Sequence, residues 1–78
     1  MIREFKVAFH SFEDVRDFVF LASDQRFDVT VYSGSSQADG KSLMIMLGLD
    51  YSQPLWVCCS CDAEAARNFV EQTKRFRV

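Results

Sequence analysis

The stretch Phe27-Asp28-Val29-Thr30-Val31-Tyr32-Ser33-Gly34-Ser35-Ser36-Gln37-Ala38-Asp39 decides the fold class. Phe27, Val29 and Val31 alternate with Asp28, Thr30 and Tyr32, the period-2 pattern of a half-buried strand. Ser33 to Ser36 reads as a hairpin turn, and Gln37 to Asp39 as a short return strand. An antiparallel pair is therefore predicted in the middle of the chain.

Upstream of the hairpin, Phe5, Val7 and Phe9 alternate with Glu4, Lys6 and Ala8 and predict a first strand. Ser11, three residues before Asp14, has the spacing of a capping box. It opens a helix whose apolar stripe is Phe12, Val15, Phe18, Val19 and Ala22. Ser23-Asp24-Gln25-Arg26 ends that helix in a polar turn. Downstream, Ser42 to about Gly48 reads as a short helix, and Asp50 to Pro54 as a loop, since a residue before proline is biased away from helix. Leu55 to Cys61 alternates again, with Val57, Cys59 and Cys61 facing one way and Trp56, Cys58 and Ser60 the other. Asp62 caps a last helix with the stripe Ala66, Phe69, Val70 and Thr73. The basic run Lys74-Arg75-Phe76-Arg77 at its end reads as cations complementing the helix dipole.

The order is β-α-β-β-α-β-α. Four strands and three helices of one-sided apolarity imply an α+β, open-faced two-layer sandwich: an antiparallel four-stranded sheet with three helices on one face. Alternation predicts Lys6, Ala8, Thr30, Tyr32, Trp56 and Cys58 on the open face. At 78 residues there is room for one domain, 1–78, and one core, and eight Phe suggest a core of bulky rings.

Hydrophobic residues make up 49% and charged residues 26%, which argues against disorder. A net charge of −2 with scattered cations leaves no footprint for nucleic acid. No stretch approaches the ~18 apolar residues of a membrane span, and the start does not read as a signal peptide, so a cytoplasmic protein is expected. The three Cys are clustered at Cys58, Cys59 and Cys61 and do not resemble a secreted disulfide framework. On a strand Cys58 and Cys59 point to opposite faces and cannot jointly ligate one ion, so no metal is expected. No nucleotide loop or other cofactor motif is present, and an enzyme is not expected. Tyr32 and Trp56 form an aromatic patch of the sort that marks association, which suggests a homodimer through the open face or an edge strand.

The element order, the spacing from Phe18-Val19-Phe20-Leu21-Ala22 to Val31, and Lys41-Ser42-Leu43-Met44 with Leu47-Gly48-Leu49 carry a resemblance. They resemble the HPr family, the phosphocarriers of the bacterial PEP-dependent sugar phosphotransferase system. The match runs without a gap from about Val15 to Cys59, and a turn before the last helix is shorter than in the carrier.

The resemblance implies a phosphoryl-accepting His at the start of the first helix, in a His-Thr-Arg-Pro pattern. This chain has Ser11-Phe12-Glu13-Asp14 there. Ser11 stands where the His belongs, Glu13 where the family has Arg, and Asp14 where it has Pro. A phosphoryl group needs a neutral imidazole to carry it and amides and a cation to stabilise its oxygens. Glu13 reverses the charge at that place, and His10 is only adjacent to it.

The resemblance further implies that Ser42 is a regulatory phosphorylation site. Leu43 and Met44 match the family's apolar pair for contacts with Enzyme I, HPr kinase or the catabolite repressor. The expected function is thus a regulatory or interaction protein in sugar transport and carbon catabolite regulation, without carrier activity. The alternatives are a functional phosphocarrier using His10 and an HPr-fold binding module for an unrelated partner.

Overall fold

The chain folds as β1 (Ile2–Val7), α1 (Phe12–Ser23), β2 (Val29–Ser33), β3 (Ser36–Asp39), α2 (Leu43–Met46), β4 (Leu55–Ser60) and α3 (Ala63–Gln72), followed by a 3₁₀ turn at Lys74–Phe76. This computed structural model describes the backbone of residues 2–78 and the side chains of residues 3–78. The four strands form one sheet in the order β1-β4-β2-β3, and every pairing is antiparallel. The three helices cover one face, giving the α+β sandwich that the alternation predicts.

The hairpin is as tight as its sequence suggests. Ser33 pairs with Ser36 across a two-residue turn, and Gly34 has φ 60° with no positive φ at Ser35. A positive φ at the first turn position alone is the signature of a type II′ turn, which twists with the strands and favours glycine. β4 lies inside the sheet, with Val57 opposite both Phe5 and Val31. Its inward side chains Leu55, Val57 and Cys59 are fully buried, while Trp56 and Ser60 face out.

The core is aromatic, as the phenylalanine count implies. Phe18 meets Phe9 at 5.2 Å, Phe69 at 5.8 Å and Phe76 at 6.1 Å between ring centroids, and Phe69 also meets Phe5 and Phe27. Such pairs contribute about 0.5–1.5 kcal/mol each beyond area burial. Phe18 therefore ties α1 to α3 and to the 3₁₀ turn.

Each helix start is capped by the residue its sequence offers. Ser11 Oγ accepts from the Asp14 amide at 3.1 Å, and Asp62 Oδ1 accepts from the Ala65 amide at 2.8 Å. Ser42 Oγ accepts from the Ile45 amide at 3.5 Å, a long bond. Gly40 leads into α2 against β2: its amide donates to the Val29 carbonyl at 2.8 Å, and a Cβ there would stand 2.7 Å from Val29 Cγ1. That close approach selects glycine.

Several elements are shorter than the alternation suggests. β1 stops at Val7, so Ala8 lies past the open face, and its amide donates to the Phe76 carbonyl at 2.7 Å. Arg77 then bridges Val7, so the last residues run along the outer edge of β1. β2 starts at Val29, and α2 is a single turn. Phe12, the first residue of α1, is half exposed and lies outside the helix's buried stripe. The basic run does not end α3 either. α3 stops at Gln72 without a basic residue in its last turn, and Lys74 and Arg75 belong to the following 3₁₀ turn.

Candidate functional site

Two helix starts stand apart on the helical layer: Lys41 Nζ, just before α2, donates to the Gln25 carbonyl beyond the far end of α1. At the first, His10 and Ser11 are exposed, and the capping arrangement is closed by a carboxylate. Asp14 Oδ2 accepts from the His10 amide at 3.0 Å while the Asp14 amide donates to Ser11. A guanidinium then arrives from the far end of the chain. Arg75 Nη1 pairs with Asp14 Oδ1 at 3.1 Å and Arg75 Nη2 with Asp17 Oδ2 at 2.8 Å. The His10 amide, and after it Arg75, hold the Asp14 carboxyl below the usual carboxylate range. Glu13 stays exposed beside them.

The sequence reading finds no cation here. The structure supplies one, Arg75, whose partners are 61 and 58 residues away. No local pattern signals it, because only the packing of Phe76 against Phe9 and Phe18 brings the 3₁₀ turn to α1. Both of its terminal nitrogens are engaged by carboxylates, so the cation is neutralised where a phosphoryl group would need it.

The second start is apolar. Ser42 is half-buried as the cap of α2, and Met44 is 85% exposed. Leu43 differs from an exposed residue: it is half-buried and packs against the core. Ile45 and Leu47 are exposed in addition. The run Leu43-Met44-Ile45-Met46-Leu47 is apolar throughout, yet one helical turn buries only Met46 fully. A run without periodicity on so short a helix is the sequence signal that some of it must face out.

Between the start of α1 and the end of α2 lies a cleft of about 370 Å³ lined by Phe9, His10, Ser11, Phe12, Leu47 and Tyr51. The Tyr51 hydroxyl donates to the Met46 carbonyl. The cleft joins His10 and Ser11 to Leu47 at the end of α2, whereas Ile45 lines a separate hollow with Val29, Gln37 and Asp39.

On the opposite layer Tyr32 and Trp56 are cross-strand neighbours, and Lys6 Nζ stands 5.4 Å from the centroid of the Trp56 ring. Cys58 is half-buried among them. Burial, and then the neighbouring Glu4 carboxylate, push its thiol up. Cys59 is buried in the core, and burial pushes its thiol up to about 12. Burial also raises Cys61. All three are thus thiols rather than thiolates at neutral pH, and poor nucleophiles. Among the described residues no group of three or more His, Cys, Asp or Glu could hold a metal ion, and no helix is long and apolar enough to cross a membrane.

In comparisons with known proteins, no family model matches the chain and no curated protein matches it in sequence.

Proposed function

We propose that the protein is an HPr-like interaction protein of the bacterial sugar phosphotransfer network, cytoplasmic and without phosphoryl-carrier activity. The observation that carries this reading is the apolar surface beside a capping serine. Met44 and Ile45 are exposed just after Ser42, and Leu47 and Phe12 at the cleft between the end of α2 and the start of α1, in an element order that the resemblance implies. Exposed large apolar groups on and beside one short helix are of the kind that marks a docking surface.

The chemistry at the start of α1 argues against carriage. Ser11 takes an amide as helix cap, Asp14 occupies the helix N-terminus with negative charge, and Arg75 is paired twice. An incoming phosphoryl group would meet carboxylates in place of a free cation. His10 contributes its backbone amide to this arrangement, which places the Asp14 carboxylate beside it. At Ser42 a phosphate would add negative charge next to the exposed apolar patch and change what docks there.

Two measurements test the reading. Incubation with HPr kinase and ATP should label the protein, and Ser42→Ala should abolish the label. A pull-down against Enzyme I, HPr kinase and the catabolite repressor should retain at least one of them through Met44. An unlabelled protein that retains none of the three overturns the assignment to this network. Transfer of label from phosphoenolpyruvate and Enzyme I to His10 would instead make it a carrier.

A further inference from the structure

The open face of the sheet has a pattern that pairs with itself. Cross-strand neighbours form two rows. One runs Lys6-Trp56-Tyr32-Gln37, and the next runs Glu4-Cys58-Thr30-Asp39. The first row is cationic at its β1 end and bulky in the middle. The second is acidic at both ends and small in the middle. Next to the small residues lies a hollow of about 130 Å³ lined by Thr30, Tyr32, Cys58 and Ser60. Beside the aromatic pair a wider one, about 420 Å³, is lined by Glu4, Tyr32, Trp56 and Cys58.

The geometry points to a face-to-face homodimer in which a two-fold axis runs between these rows, perpendicular to the strands. That rotation sets each strand over its own copy and exchanges the two rows. Lys6 then faces Glu4 of the second copy and Glu4 faces Lys6, giving two symmetric ion pairs. Trp56 lies over Cys58 and Tyr32 over Thr30, so that bulky rings enter the hollows beside small residues. An isologous contact must be complementary to itself in this way.

The other face-to-face arrangement, with the axis parallel to the strands, sets β1 over β3. Glu4 would then confront Asp39, and Trp56 would collide with Tyr32. Like charges and bulk on bulk disfavour it.

Size limits the strength of this contact. Four strands about 4.8 Å apart and up to six residues of about 3.3 Å each make a face on the order of 20 Å square. That is below the ~800 Å² per partner of a standard interface. The dimer is therefore weak and concentration-dependent.

Sedimentation velocity of the full chain up to about 1 mM, with circular dichroism to check folding, tests this. Wild type should shift from monomer to dimer across the range. Lys6→Glu and Glu4→Lys each place like charges across the two-fold axis, and each should weaken association at least tenfold. The double variant Glu4→Lys with Lys6→Glu restores both pairs, because the rows simply exchange roles, and should dimerise again. A monomeric wild type at the highest concentration overturns the proposal. So does a folded single variant that associates like wild type, or a folded double variant that stays monomeric.

Discussion

The starts of α1 and α2 are both capped by a serine, yet they are built in opposite ways. At α1 the hydroxyl bond is 3.1 Å, the cap is reinforced by Asp14, and Arg75 ties the first turns to the end of the chain. At α2 the corresponding bond is 3.5 Å, the helix is four residues long, and its neighbours are exposed apolar side chains. The first is closed by charge and hydrogen bonds. The second leaves apolar area in water, a cost that a binding partner could relieve. Two ends with the same cap can thus serve structure in one case and recognition in the other.

The largest loss should come from unseating α2. Gly40→Ala would push a Cβ into Val29, and the backbone can yield only by moving the turn that leads to Ser42. Urea unfolding should show a loss of roughly 1–3 kcal/mol. The two caps should then separate in size. Ser11→Ala should cost about 0.5–2 kcal/mol, whereas Ser42→Ala, removing a long bond from a single turn, should fall at or below the low end of that range. Equal losses would contradict the asymmetry.

Smaller again is the Arg75 clamp. Arg75 is half exposed, so Arg75→Ala should cost about 0–1 kcal/mol, shrinking as salt is added. The sign of its pH dependence is set by Asp14. The carboxyl is held below its ordinary value in the folded state, so its contribution is fully present above about pH 4 and is lost as pH falls through the folded value. Asp14→Asn should therefore flatten part of the acid limb of a stability-against-pH curve. Arg75→Ala should flatten it less, because the His10 amide is the larger influence. The smallest effect on stability belongs to Met44→Lys, within about 0.5 kcal/mol at so exposed a position. The same change should abolish partner capture in the pull-down, the sharpest contrast between the two helix starts.

Much of this molecule follows from local chemistry. Period-2 alternation placed the strands and the inward set Val29, Val31, Val57 and Cys59, and it put Tyr32 and Trp56 on the open face, because side-chain direction in a strand is a property of the backbone. Ser11, Ser42 and Asp62 announced the helix starts, since a short polar side chain there satisfies an amide only two or three residues away. Gly34 marked the turn. The strand order, by contrast, is a matter of which edges pair, and nothing local encodes that β4 lies between β1 and β2.

The exposure of Phe12 was likewise invisible, because an apolar side chain does not state whether a second layer will reach it. Nor did Lys74-Arg75-Phe76-Arg77 reveal its role. It looked like the charged end of a helix, and only the burial of Phe76 among Phe9 and Phe18 swings Arg75 onto Asp14 and Asp17. The capping serine and the carboxylates at the start of α1 were therefore written in the sequence. The cation that neutralises them, and the cleft joining them to α2, exist only because distant segments pack against the same aromatic core.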